Sequence, residues 1–472
     1  MNVNKEKRDF TTGNPGKQLI LFSLPLIATM FLQSLYNLAD TVIIGRYVGT
    51  DGMAAVGTCG NVTNVMLMLI TGATAGTSVI ASQFLGARDE VRVRRTIYNA
   101  LYIIVSLAIL FGAIGIIFSR QLLQLVQVKE EILGDAMVYL RIIFAGTIAT
   151  ALYNTANNLS RALGDAVTPM IVLVISALLN VVLNLVFVIN FGLGVAGVGY
   201  ATVIATIISA VVCWIVLLRK MPVARPDKDA VKIDKDICRL IAQKGLPAAL
   251  QQSGQALGGL ICMGLVNTFP VIVTSAYTAA TKVESLISYP PGGLTQGMQV
   301  FTGQNVGAGK FDRVKKGYRS AMRIIFGYSI FTLILFVFAG KPILGIFVSS
   351  GDANRAELIQ IGYQYLMAVA AGGIGLLMNG VMFLTRYTLS GAGDASSATL
   401  LSVVEVAVRV ISAYILSQHT SLGYIGVFLG APISFAVGGT IGYVLYRKGD
   451  WKKKRIVKDT DQSVAAAASA GR

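Results

Sequence analysis

Two halves of this chain are copies of one another, and that limits its architecture more than any single motif. Leu24-Pro25 and Gln33 return at the same spacing as Leu246-Pro247 and Gln255. Gln83, Gly86-Ala87 and Arg94-Arg95 return as Gln304, Gly307-Ala308 and Lys315-Lys316. Gly164-Asp165-Ala166 returns as Gly393-Asp394-Ala395, and Gly194 with Gly197-Val198 returns as Gly423 with Gly426-Val427. In a very apolar chain, two similar halves imply a two-lobed membrane transporter with its pathway between the lobes.

The membrane reading rests on charge. Of 472 residues, 54% are hydrophobic and only 13% are charged, where a soluble protein carries roughly 25%. The charges gather between apolar runs of about 20 residues, each long enough to cross hydrocarbon. Spans are expected at 19–45, 57–84, 95–119, 134–159, 167–190, 195–218, 240–266, 271–299, 320–340, 357–385, 396–417 and 425–446. Each has to be a helix, because a lipid-exposed backbone must satisfy its own hydrogen bonds. The expected fold class is therefore all-α integral membrane, with twelve transmembrane helices in two six-helix lobes. An even number of spans per half returns the chain to its starting side, so the repeats are parallel rather than inverted.

A net charge of +17 raises the question of nucleic acid, and its distribution answers it. Most Lys and Arg fall on one side of the expected spans. Arg46, Arg120, Lys129, Lys341 and Arg355 fall on the other, and Arg141, Lys282 and Arg409 fall within spans. This bias places both termini in the cytoplasm. Topology and attraction to anionic membrane lipids account for the basic surplus, and no nucleic-acid partner is expected. Residues 1–18 are polar, so a cytoplasmic N-terminal segment without a cleavable signal peptide is expected. The N-lobe spans 19–218 and the C-lobe 239–446. Between them lies a basic linker, 219–238, with Pro222 and Pro226, and a basic tail follows at 447–472. The end of that tail, 459–472, is small and polar and is expected to be disordered. Cys59, Cys213, Cys238 and Cys262 show neither metal spacing nor a disulfide framework. No cofactor is expected, and a two-lobed monomer is functionally complete.

Carboxylates inside the spans are few: Asp40, Glu284 and Glu405. Each is costly in lipid and needs a reason. Asp40 shares the first span with Gln33, Tyr36 and Asn37, and positions 33, 37 and 40 fall on one helix face. A carboxylate on such a stripe can bind a proton or a sodium ion reversibly; the plainer alternative is a structural cap near the outer surface. Asn154, Asn157 and Asn158 on the fourth span, Asn180 and Asn184 on the fifth and Thr202 on the sixth can complete that site. Their oxygens suit a sodium ion or a protonated carboxyl, although interhelical hydrogen bonding alone also explains them. Lys282 and Glu284 are two residues apart and share no face; Glu405 and Arg409 are four apart, which predicts a direct ion pair. Pro25, Pro247, Pro290, Pro291 and Pro432 lie inside spans and are expected to bend them. The repeated Pro25 and Pro247 are hinge candidates. Met66, Met68, Met263, Met298, Met378 and Met382 are candidates for an adaptable apolar surface or simple core filler. Gly307-Ala308-Gly309-Lys310 lacks the spacing of a phosphate loop, so no ATPase engine is seen.

Taken together, Pro25 to Gln33, Asn37-Leu38-Ala39-Asp40, Gly45, Gln83 with Gly86-Ala87, the Arg161–Asp165 turn and their second-half copies resemble the MATE (multidrug and toxic compound extrusion) family of secondary antiporters. The resemblance covers about residues 15–448 and looks closest to the DinF-like and related bacterial multidrug members. It implies two six-helix lobes forming a V-shaped cleft, and export of small amphipathic or cationic compounds in exchange for protons or sodium ions. It also implies a cation-coupling role for Asp40, a share in the ion site for Asn180 and Thr202, and a place beside it for Tyr139. Two positions depart from the family pattern. Asn184 stands where many members have aspartate, and Gln255 where the NorM-like branch has glutamate. Asp40 is thereby left as the leading coupling residue. The substrate-cleft candidates are Gln33, Tyr36, Asn37, Asn154, Asn157, Gln255, Lys282, Glu284 and Met298.

Two other functions compete with export. A flippase for a lipid-linked precursor needs a broadly basic cleft to hold a pyrophosphate, and intramembrane base is limited to Arg141, Lys282 and Arg409. An enzyme is unsupported: there is no nucleophile elbow or metal cluster, and the sole histidine, His419, lies in a loop.

Overall fold

A computed structural model describes residues 9–349 and 353–457, so the expected disorder of 459–472 lies outside the described residues. The described residues are helical and contain no strand. The main helices are α1 (Pro15–Tyr47), α2 (Thr50–Gly86), α3 (Glu90–Ile117), α4 (Glu130–Ala145 continued by Thr147–Ala162), α5 (Val167–Leu185) and α6 (Gly194–Lys220). The second half gives α7 (Lys235–Val266), α8 (Val271–Gly307), α9 (Phe311–Phe347), α10 (Arg355–Ala370 continued by Ile374–Gly391), α11 (Ala395–Gln418) and α12 (Tyr424–Lys448). Each expected span falls on one of these helices. Nine are long and apolar enough to cross a membrane by length and composition alone, and the two pieces of α4 pass together. The remaining two, α7 and α8, have the length but carry polar residues such as Gln251, Gln252, Lys282 and Glu284.

Burial is arranged for a lipid solvent. Leu35, Leu38, Ile117, Leu178 and Phe338 are exposed, while Asn180, Asn184, Gln304, Asn305 and Arg386 are buried. Polar groups turned inward find partners that lipid cannot offer.

Helical assignment runs on through Pro25, Pro247, Pro290, Pro291 and Pro432, so none of them ends its helix. The breaks in α4 and α10 occur at glycines. The pieces of α4 meet at Gly146 with a 49° bend, and α10 is interrupted at Ala371–Gly373, where Ala371, Gly372 and Gly373 all have positive φ. Glycine is the residue that adopts this conformation without steric cost.

The repeated motifs have identifiable structural jobs. Gly164 and Gly393 have φ of 86° and 88°, which ends the preceding helix in a left-handed turn. Asp165 then accepts from the backbone N–H of Val167 and Thr168 at 3.1 and 3.0 Å, and Asp394 accepts from that of Ser397 at 3.3 Å. Asp394 is the N-cap of α11, and Asp165, one residue before the N-cap Ala166 of α5, satisfies first-turn N–H groups in the same way. The glycine-rich Gly307–Lys310 stretch ends α8, and Lys310 Nζ donates to the Thr11 carbonyl at 2.9 Å. Arg313 reinforces that tether, donating to the carbonyls of Phe10 and Gly13 at 2.8 and 2.6 Å and to that of Thr12.

The described chain divides into two compact units, Ala28–Ala249 and Phe10–Ile27 with Leu250–Ile456. The division interleaves the halves: the start of α1 packs with the second half, and the start of α7 packs with the first. Both changes of allegiance come just after a repeated proline, Pro25 and Pro247. Two equivalent glycine pairs explain the packing. A Cβ on Gly72 of α2 would sit 2.2 Å from Ala249 Cα, and one on Gly76 would sit 2.5 Å from Gly245 N. In the other unit, a Cβ on Gly293 of α8 would lie 2.5 Å from Ile27, and one on Gly297 would lie 2.7 Å from Ser23 Oγ. Each pair is a small-xxx-small contact that lets helix backbones approach closely. Gly76→Val is therefore expected to cost about 1–3 kcal/mol or more through overpacking. Thermal unfolding in detergent measures this; an unchanged Tm would show that α2 and α7 can separate freely.

In the first unit, the 219–238 segment is tied down rather than loose. Tyr98 and Tyr102 of α3 donate to the carbonyls of Ala224 and Val231 at 3.0 and 2.8 Å, and Arg95 pairs with Asp234 at 3.3 Å.

Candidate functional site

Helices α1, α4, α5 and α6 bring one carboxylate together with a chain of amides. Asn180 and Asn184 lie one turn apart on α5 and are fully buried. Directly after Asn184 the helix widens into a π turn, Val186–Asn190, a distortion often found at functional sites. On α6, Gly197 permits close approach, since a Cβ there would meet Phe187 at 3.2 Å.

The hydrogen bonds diverge from Asn184, one branch ending on Asp40 and the other passing through Asn180 and Thr202. Thr202 Oγ1 donates to the Val198 carbonyl at 3.0 Å, and Asn180 Nδ2 donates to Thr202 Oγ1 at 3.4 Å. Asn184 Nδ2 donates to Asn180 Oδ1 at 2.9 Å and to Asp40 Oδ1 at 2.7 Å. Among the described residues, Asp40 receives this one hydrogen bond and has no basic residue within ion-pair distance. Asn184 Oδ1 is buried with no hydrogen-bond partner among the described residues. An uncompensated carboxylate beside an unused amide oxygen is an arrangement that a proton or a small hard cation satisfies.

Tyr36 and Tyr139 are both close enough to feel the Asp40 charge, and Tyr139 belongs to the core of this unit. The structure thus brings Asp40, Asn180, Asn184, Thr202 and Tyr139 together and adds Tyr36, which sequence reading assigns to the substrate. The polar stripe on α1 divides: Tyr36 and Asp40 are half-buried, whereas Gln33 and Asn37 are exposed.

The α4 asparagines point their hydrogen bonds elsewhere. Asn154 Nδ2 donates to its own helix at Thr150, Asn157 Oδ1 accepts from Cys213 Sγ at 3.5 Å, and Asn158 Nδ2 donates to Thr74 Oγ1 at 2.9 Å. Their helix-to-helix contacts match the packing alternative for Asn157 and Asn158 rather than completion of the Asp40 site.

The second unit holds the other carboxylates, and there charge is balanced. Sequence spacing predicts a Glu405–Arg409 pair, but Glu405 instead pairs with Arg386 at 2.8 Å, both nearly fully buried. Arg386 also donates to Ser402 Oγ at 3.1 Å. Gln255, turned with its amide oxygen toward the guanidinium, accepts from Nη2 and Nη1 at 2.7 and 2.8 Å. Arg409 lies over the Phe435 ring at 5.5 Å. Glu284 accepts from the Tyr365 hydroxyl at 2.5 Å. Glu284, Glu405 and Arg409 line a cavity of about 180 Å³. Lys282 is exposed. Met298 is fully buried, so it packs the interior and lines no open surface here. Arg386 is the residue that sequence reading missed: it falls one position beyond the expected span 357–385 and so counts as a loop cation.

Comparison with known proteins agrees with this construction. The MatE family model matches residues 25–186 and 247–415, two segments that begin at the repeated prolines. The probable multidrug resistance protein YoeA of Bacillus subtilis is 28% identical, over 94% of this chain and 95% of its own length. The probable multidrug resistance protein NorM of Thermotoga maritima is 22% identical, over 93% and 94%. A MATE crystal structure in the bent conformation superposes with a TM-score of 0.86 at 23% identity, over 95% of this chain and 98% of that one. The fold is therefore that of the MATE transporters, and the chain belongs to the MatE family of multi-pass membrane transporters rather than to any class of enzyme.

Proposed function

We propose that the protein is a secondary active antiporter that exports small amphipathic or cationic compounds in exchange for protons or sodium ions, by alternating access. The observation that carries this reading is Asp40, a half-buried carboxylate with no counter-charge among the described residues and an unused Asn184 oxygen beside it. The coupling ion occupies that position when bound and neutralises Asp40; its departure restores a charge that is costly to leave uncompensated. Relatives named as multidrug resistance proteins support small drug-like substrates. The Lys/Arg bias supports a plasma-membrane location with cytoplasmic termini. Pro25 and Pro247, placed where α1 and α7 pass between packing units, are the proposed hinges.

The test is uptake of ethidium into inverted liposomes holding the purified protein, with a pH gradient or a sodium gradient imposed. Uptake driven by one gradient names the ion. Equal uptake with neither gradient would mean passive exchange and overturn the antiport reading.

Asn184→Asp is expected to change the coupling. A second carboxylate beside Asp40 repels the first and raises the cost of leaving the site empty. The ion concentration for half-maximal transport should therefore shift by about tenfold or more. An unchanged dependence would show that position 184 does not face the ion.

A further inference from the structure

At one end of the second unit, α9 and α12 form a concave basic pocket of about 540 Å³ that plays no part in the ion site. Arg319 and Arg323 enter it from α9, Arg447 from the last turn of α12, and Lys452 from the short helical turn Asp450–Lys454 that follows. Among the described residues, none of these four has an acidic partner within ion-pair distance; only Lys315, at the edge, is paired, with Asp312 at 2.8 Å. Asp312 is near enough to Lys452 to offset it in part. Arg319, Arg323 and Arg447 face the same hollow with no acidic partner within ion-pair distance among the described residues, and they repel one another unless an anion joins them.

The floor is rigid and aromatic. Tyr318 and Tyr446 stack with centroids 4.0 Å apart, and Tyr446 and Trp451 lie nearly parallel at 5.8 Å. The Tyr318 hydroxyl is hydrogen-bonded to Thr385 Oγ1 at 2.8 Å, and Trp451 Nε1 donates to the Tyr446 carbonyl at 3.1 Å. Two of the cations lie over pocket rings, Arg447 over Tyr443 at 5.9 Å and Lys452 over Trp451 at 6.0 Å, which lowers the ordering cost of binding.

The surroundings identify the anion's source. Directly beyond the cations, α9 exposes Phe326 and Ile330, and α12 exposes Tyr443 and Val444. A basic hollow that continues into an exposed apolar face fits a molecule with a charged head and hydrocarbon tails. We propose that this pocket binds the phosphodiester headgroup of an anionic membrane lipid, as basic pockets between transmembrane helices can.

The experiment is native mass spectrometry of the full chain in detergent, titrated separately with phosphatidylglycerol, phosphatidylcholine and soluble glycerol phosphate. Phosphatidylglycerol is expected to bind at least tenfold more tightly than either other probe, and to weaken as salt is raised. The Arg319→Gln/Arg447→Gln double variant should lose about thirtyfold in phosphatidylglycerol affinity, while Arg319→Lys/Arg447→Lys keeps most of it. Equal binding of the two lipids, salt-independent binding by the unaltered protein, or an unweakened Gln variant that retains the Tm of the unaltered protein would each overturn the proposal. Glycerol phosphate binding as tightly as the lipid would overturn the lipid assignment in favour of a soluble phosphate. The salt arm uses only the unaltered protein, so a misfolded variant leaves the proposal testable.

Discussion

Asp40→Asn is expected to abolish uphill export while leaving the protein folded and able to bind substrate. Asparagine keeps the shape and one acceptor oxygen, so Asn184 retains its bond, but the charge that an ion must neutralise is gone. One pH unit is worth about 1.4 kcal/mol per proton, a tenfold concentration ratio. Exchange of one proton for one monovalent organic cation moves no net charge, so the membrane potential contributes nothing to it. A proton-coupled protein with one carboxylate should therefore reach about tenfold accumulation per pH unit, and the variant should equilibrate to a ratio of about one. Steady-state ethidium accumulation in liposomes measures both. Undiminished accumulation by Asp40→Asn would move the coupling to Glu284 or elsewhere in the second unit.

Arg386→Ala is expected to destabilise the second unit by about 3–5 kcal/mol, because Glu405 is then left as an uncompensated buried charge. The guanidinium also serves Ser402 and Gln255, and Arg386→Lys cannot reproduce its planar fork. Replacing Arg386 and Glu405 together with apolar residues should recover much of the loss, since a buried pair contributes little beyond satisfying itself. Thermal unfolding of the three variants in one detergent checks this. A single variant as stable as the unaltered protein would mean that Glu405 is solvated or protonated in place.

The helical fold was legible because the lipid solvent writes a strong signal: about twenty apolar residues per span, punctuated by charge. The repeat exposed the lobes, and the repeated Gly-Asp turns and prolines marked equivalent corners. The Asp40 cluster was legible in part, because an acidic residue in a span is expensive and the asparagines on α5 sit one turn apart. Tyr36 was assigned to the substrate because helix spacing gives the face of a residue but not its depth. Arg386 was missed for a related reason: a cation at a span's end reads as a loop residue until its partner on another helix is seen. The same holds for Glu405, whose local spacing to Arg409 outweighed a distant partner that no spacing reveals. The interleaving of α1 and α7 was written in the Gly72/Gly76 and Gly293/Gly297 pairs, but a small-residue pair does not name the helix it meets.

The most direct measurement is ion release on substrate binding. Purified protein in weakly buffered detergent is mixed with ethidium, and proton or sodium release is followed with an indicator or a selective electrode. Release of about one ion per bound ethidium is predicted for the unaltered protein, with none from Asp40→Asn that still binds ethidium. Equal release from both proteins would contradict Asp40 as the place where ion and substrate exchange.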